Sequence, residues 1–211
     1  MKLAAQIMQK LHGGNIWEGF DREPDSPLVP GWNGTHKQLT LSKPILAVDV
    51  GVYLGQSTIF IASYMKNNKI DGCVVSIDTF LGSPEIMGHI PEFLHGRPTL
   101  YESFLSNVKQ AGLTDYVVPF PIDARSGAEI LLRKQIFPDF IHIDAAHDYN
   151  SVFNDSTVFW KILRPGGTMV GDDYDWTSVS NAANMFAREL GLKLIVDLPK
   201  WVLRKPDDRT P

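Results

Sequence analysis

From Pro44 onward, short apolar runs alternate with longer stretches in which apolar positions recur every three or four residues. The short runs Ile45 to Val50, Gly72 to Ile77, Tyr116 to Phe120, Phe140 to Ile143, Thr168 to Gly171, Lys193 to Val196 and Trp201 to Arg204 read as strands. Between them Gly55 to Met65, Thr99 to Ala111, Ser126 to Gln135, Asn150 to Leu163 and Ser178 to Leu190 read as helices. Nearly continuous apolar strands separated by helices predict a parallel α/β sheet covered on both faces. The last two strands are too close in sequence for a parallel crossover and should pair antiparallel. Ahead of this pattern, Leu3, Ile7, Met8 and Leu11 have helical spacing and stop before Gly13-Gly14. Asp21 to Lys43 is rich in Pro, Gly, Asn and Asp and is expected to be irregular. The chain thus divides into an N-terminal helical and irregular extension, 1–43, and a main domain, 44–211.

In parallel sheets of this kind ligands bind beyond the carboxyl ends of the strands, near the point where strand order reverses. Chemistry is therefore expected just after Val50, Ile77, Phe120, Ile143 and Gly171. The long stretch Leu81 to Pro98 carries Gly82, Pro84, Gly88, Pro91 and Gly96, with Met87, His89, Phe93 and His95 among them. A loop of that length points to a substrate lid, together with Gly31-Trp32-Asn33-Gly34. Solvated loop histidines are the alternative for His89 and His95.

Composition narrows the partners. Lys plus Arg number 20 and Asp plus Glu 24, a formal net charge of −4 with no basic stripe, so nucleic acid is not an expected partner. Cys73 is the only cysteine, which excludes an internal disulfide, and its strand-like surroundings make it a small buried hydrophobe. The apolar runs are too short to span a bilayer, and Gln6, Gln9 and Lys10 interrupt any leader-like apolar segment. A cytoplasmic protein acting on a small molecule is the expectation, with a homodimer as a candidate assembly.

Three clusters at strand ends carry the chemistry. The first reads Asp49-Val50-Gly51-Val52-Tyr53-Leu54-Gly55-Gln56-Ser57, with glycines four residues apart between strand and helix. Such glycines let backbone approach a ligand, or simply pack a tight turn. The run is neither Gly-x-Gly-x-x-Gly nor a phosphate loop, which argues against dinucleotides and nucleoside triphosphates. The second ends in Asp78, placed to grip ribose hydroxyls or to cap the following turn. The third pairs His142-Ile143-Asp144-Ala145-Ala146-His147 with Gly171-Asp172-Asp173. Three carboxylates converging there would repel, and a divalent cation on oxygen ligands (Mg²⁺, Ca²⁺ or Mn²⁺) would relieve them. Alternatively, Asp172 and Asp173 cap the helix starting near Thr177.

Together with the Leu163-Arg164-Pro165-Gly166-Gly167 turn, these motifs resemble class I S-adenosylmethionine (SAM)-dependent methyltransferases over about Ile45 to Arg204. Ile77-Asp78-Thr79-Phe80 and Ile143-Asp144-Ala145-Ala146-His147-Asp148-Tyr149 resemble the narrower group of macrocin O-methyltransferase and cephalosporin-hydroxylase-like proteins. The plan is also similar to catechol O-methyltransferase. The resemblance implies a Rossmann-like, mostly parallel seven-stranded sheet with helices on both faces and an antiparallel last strand. It implies Asp49, Gly51, Tyr53, Gly55 and Ser57 around the methionine part of SAM. Asp78 would hold the ribose, with Thr79, Phe80, Asp123 and Ala124 about the adenine and Asp144 at the reacting end. Asp144, Asp172 and Asp173 fall where the catechol enzymes hold their metal, although those enzymes have Asn where this chain has Asp173. His147 falls where they carry a Lys base, and a neutral imidazole there could take the acceptor's proton. The implied activity is metal-assisted O-methylation of a small hydroxylated molecule. Its rivals are a metal-independent methyltransferase and a non-catalytic SAM-fold binding protein.

Overall fold

The computed structural model describes residues 2–22, 36–83 and 93–207. Seven strands form one sheet: β1 (Leu46–Val50), β2 (Cys73–Asp78), β5 (Val117–Pro121), β6 (Phe140–Ile143), β7 (Thr168–Gly171), β8 (Ile195–Asp197) and β9 (Lys200–Arg204). A separate two-stranded hairpin joins β3 (Phe93–Leu94) to β4 (Arg97–Pro98). The main sheet has the order β5-β2-β1-β6-β7-β9-β8. The strands from β5 to β7 are mutually parallel, whereas β9 runs antiparallel to both β7 and β8. The expected mostly parallel sheet with an antiparallel last strand is present. Strand order reverses between β1 and β6, because the chain first builds outward through β2 and β5 and then returns.

Alternation along the central strands supplies two cores. Leu46, Val48 and Val50 of β1 face the side covered by α1 (Leu3–His12), α5 (Ala124–Arg133), α6 (Tyr149–Ile162) and α7 (Thr177–Glu189). Ala47, on the opposite face, joins Leu39 of α2 (His36–Ser42), Ile61, Ala62 and Met65 of α3 (Gln56–Asn67), and Phe104 and Val108 of α4 (Leu100–Gln110). A side-chain period of two sends neighbouring strand residues into opposite layers, so both faces must be apolar. The N-terminal helix shares the first core, with Ala4, Ile7 and Met8 buried in it.

Two local expectations change. The segment Asp21 to Lys43 was expected to be irregular, yet it contains α2. That helix has only seven residues and buries chiefly Leu39 and Gln38, too short a repeat to stand out in a polar sequence. The expected irregular stretch before Thr99 contains the hairpin, turned by His95 at φ 51° and Gly96 at φ 81°. The rest of the expected lid, 84–92, and the Gly31-Trp32-Asn33-Gly34 segment lie outside the described residues. Among the described residues no helix is long and apolar enough to cross a membrane.

Candidate functional site

The carboxyl ends of β2, β1, β6 and β7 continue their hydrogen-bond ladder one step past the strands. Gly51 N donates to Ile77 O at 2.9 Å, Asp144 N to Val50 O at 2.9 Å, and Asp172 N to Ile143 O at 3.0 Å. Asp78, Gly51, Asp144 and Asp172 therefore stand in a row along the sheet edge, across the reversal point. Above them opens a cavity of about 320 Å³, lined by Gly51, Tyr53, Asp78, Thr79, Asp123, Ala124, Asp144 and His147 among others. Eight of the sequence-derived site residues are thus brought to one cavity.

Asp49, Gly55, Ser57 and Phe80 do not line it. Asp49 is fully buried on the α3 face, where its carboxylate accepts from Ser57 Oγ at 2.7 Å and Thr58 Oγ1 at 2.5 Å and pairs with His142 Nδ1 at 2.8 Å. Asp49 is in register with Ser76 on β2 and His142 on β6, so this polar island is a row across three strands. It sits beneath the turn and braces it. Phe80 is buried against Tyr101 and Phe104.

The turn itself is shaped by close contacts. Gly51 has φ 82°, and a Cβ there would lie 2.6 Å from Ala145 Cα. Gly55, at φ 96°, starts α3, and a Cβ would meet the Phe104 ring at 2.8 Å. Both glycines are accounted for by the fold, the first because the β6 strand end crosses directly over it. Tyr53 and Phe80 also have positive φ, 48° and 55°. Their amides donate to the two oxygens of Asp78, at 2.9 Å from Tyr53 and 2.7 Å from Phe80. Asp78 thereby fixes two strained turns while keeping its carboxylate at the cavity wall, where the second lone pair of each oxygen can accept a ligand hydroxyl.

Asp123 lines the cavity and also caps α5, accepting from Ser126 N at 2.9 Å, which holds its carboxyl below the usual range. Asp148 caps α6 in the same way through Ser151 N at 3.0 Å. Asp172 and Asp173 do not cap α7, whose N-cap is Trp176 without a side-chain cap bond.

At the other end of the cavity the acidic cluster forms. His147 Nε2 lies 2.8 Å from Asp173 Oδ2 and 3.8 Å from Asp144 Oδ1. The carboxylates of Asp144 and Asp173 push the imidazole up to about 10, so it is a cation at neutral pH. Burial pushes Asp144 up, but His147, His142 and Lys200 outweigh it and leave its carboxyl lowered. His147 Nδ1 is buried without a hydrogen-bond partner among the described residues, and its ring packs 4.8 Å from that of Trp176. Donor atoms of Asp144, His147 and Asp173 all lie within 4.8 Å of one another, as do those of His142, Asp144 and Asp172. A crevice of about 10 Å³ runs between Asp144, His147, Asp172, Asp173 and Trp201, room for one ion or water.

Sequence reasoning missed two residues here. Lys200, 1% exposed on β9, makes an ion pair with Asp172 Oδ2. Burial lowers its ammonium to about 8. Only the antiparallel return of β9 beside β7 brings it there, and no local motif announces such a neighbour. Trp176 is 47% exposed next to His147. An aromatic residue three positions past an acidic strand end was the available signal.

Residues 48–174, more than half of the chain, match a family described as a methyltransferase domain. The chain belongs to that methyltransferase-domain family. The resemblance to class I SAM-dependent methyltransferases is borne out at the level of family and fold. No curated protein matches the sequence significantly. Solved methyltransferases share the fold at low identity. The O-methyltransferase NovP is 17% identical with a TM-score of 0.59, over 81% of this chain and 76% of its own. TomG of Streptomyces achromogenes, an O-methyltransferase of tomaymycin synthesis solved with SAM, is 18% identical with a TM-score of 0.57, over 81% and 77%. A putative caffeoyl-CoA O-methyltransferase of Staphylococcus aureus is 14% identical with a TM-score of 0.61, over 84% and 86%. The methyltransferase described here therefore presents its cavity on a shared scaffold, and its own residues must carry the case for a particular acceptor.

Proposed function

We propose that this methyltransferase moves a methyl group from SAM to a hydroxyl oxygen of a small molecule. The observation that carries the reading is the single cavity that joins Gly51, Asp78 and Asp123 at one end to Asp144 and His147 at the other. Bound SAM would supply an electrophilic methyl group and a ribose whose hydroxyls suit the fixed carboxylate of Asp78. Thr79, Asp123 and Ala124 line the same cavity and suit the adenine. Asp144 stands at the same end as His147 and can orient the acceptor hydroxyl by accepting its hydrogen bond. Trp176, half exposed beside His147, offers a flat apolar wall for the body of the acceptor.

The donor set of Asp144, His147 and Asp173 fits a divalent cation in size and chemistry, and its imidazole favours Mn²⁺ over Ca²⁺. A cation there would lower the acceptor's hydroxyl pKa. His147 can accept the hydroxyl proton only when the two carboxylates no longer hold it protonated. The second reading, metal-independent transfer, is favoured by the ion pair of Lys200 with Asp172, which already neutralises one carboxylate.

Labelled methyl transfer from SAM to hydroxylated acceptors, with and without chelator, separates these readings. Metal-assisted transfer predicts loss of turnover in chelator and its return with Mn²⁺ or Mg²⁺. Transfer at full rate in chelator supports the second reading, and incorporation into none of the acceptors counts against both. In the metal-assisted reading His147→Ala removes one of the cation's three donors and should slow turnover while SAM affinity holds. In the metal-independent reading a ring held protonated by Asp144 and Asp173 is no base, and the variant should keep most of its turnover.

A further inference from the structure

The sheet closes one of its edges and leaves the other open. At one end β5 is covered by the N-terminal extension, where His12 Nε2 lies 2.7 Å from Pro119 O and Trp17 Nε1 donates to Val117 O at 3.2 Å. Pro119 and Pro121 also remove two donors from that strand. At the other end β8 pairs only with β9 among the described residues. It carries Ile195 and Val196, each 44% exposed, and the turn after it carries Leu198, 68% exposed. An uncovered edge with apolar side chains on both faces is a template for another strand.

The segment Lys193-Leu194-Ile195-Val196-Asp197 is complementary to itself. The two-residue turn Leu198-Pro199 joins Asp197 to Lys200, and such turns close on a hydrogen-bonded pair. Asp197 and Ile195 therefore aim their backbone groups at β9, whereas Val196 and Leu194 aim theirs outward. A two-fold axis through Ile195 brings the outward groups of Leu194 opposite those of the partner's Val196. It also sets Lys193 opposite the partner's Asp197 at both ends, an opposite-charge pair on the face toward α2. Lys193 is exposed, and Asp197 meets Lys37 of α2 through Oδ2 at 2.9 Å. Leu41, 59% exposed and one helical turn beyond Lys37, extends the apolar strip onto α2.

We infer that two copies of this chain pair antiparallel through β8 about Ile195, joining their sheets into one. The charge pattern selects a second copy as the occupant of the edge. A basic end, three apolar residues and an acidic end match the same sequence run in reverse, as a two-fold axis requires. One short strand flanked by Leu41 and Leu198 is a small interface, so the dimer dissociates on dilution. None of these residues lines the cavity, which keeps the pairing independent of the methyl-transfer reading.

The test is sedimentation velocity on the full chain from about 5 to 200 µM, the range over which so small an interface dissociates. Wild type should pass from monomer to dimer across it. Lys193→Asp leaves both ends of the segment acidic and Asp197→Lys leaves both basic, so each alone should weaken the dimer about tenfold or more. Mixed in equal amounts, the two variants should dimerise with each other to within about threefold of wild type, because every facing pair is again of opposite charge. Val196→Pro removes an outward amide without touching the ladder to β9 and should be monomeric, with a thermal melt to show that it is folded. A wild type that stays monomeric, or a wild-type dimer that the single charge reversals leave intact, overturns the inference. So does a mixture no more associated than either reversal alone, or a folded Val196→Pro that dimerises like wild type. Should Val196→Pro unfold, the exposed charge variants still decide.

Discussion

His147 shows how far a single residue's environment can move its chemistry. By type and position it is a neutral base at pH 7, and by contact it is a cation between Asp144 and Asp173. Its folded pKa, raised to about 10 from 6.5, has a consequence for stability. A raised histidine stabilises fully below its unfolded pKa and loses that contribution as pH rises through the folded value. In chelator, wild type should therefore be more stable than His147→Asn by about 1–3 kcal/mol near pH 6, the scale of a charged hydrogen bond. The gap should shrink as pH approaches 10. Denaturant melts across that range measure it, and a gap that does not narrow with pH would show the ring is not charged. Asp78, Asp144 and His147 were legible because strand-end acidic and imidazole groups announce themselves by position. Lys200 was not, because its partner is 28 residues away and meets it only through β9.

At the level of elements, the strands were easier to place than the pieces between them. Continuous apolar runs such as Phe140–Ile143 have one physical reading in a domain this size, a buried parallel strand. Short α2 and the β3-β4 hairpin have too few buried positions to impose a period, so composition pointed to irregular chain instead. Helix starts show a related overlap between fold and function. Asp123 both caps α5 and lines the cavity. Asp123→Ala should cost about 1 kcal/mol through the lost cap, while Asp123→Ser keeps a capping oxygen and most of that stability. The carboxyl is lowered by its bonds to Ser126, so its contribution is present above pH 3.8 and fades as acid protonates it. Thermal melts at pH 7 and pH 3 test both statements. Equal melting temperatures for Asp123→Ala and wild type at pH 7 would remove the cap from the account. A SAM affinity lost in Asp123→Ser despite normal stability would separately identify a cofactor contact.

On the scale of the whole molecule, the sheet order explains why these residues meet at all. The reversal between β1 and β6 opens a gap at the carboxyl edge, lined by the segments that follow β1, β2, β5 and β6. Everything proposed for the methyltransferase depends on SAM entering that gap with its ribose against Asp78. The direct measurement is calorimetric titration of SAM into wild type and into Asp78→Ala, with a thermal melt to confirm that the variant stays folded. The account predicts saturable one-site binding to wild type, weakened in Asp78→Ala by roughly 1–3 kcal/mol. No heat of binding in wild type, or equal affinity in a folded Asp78→Ala, would contradict it.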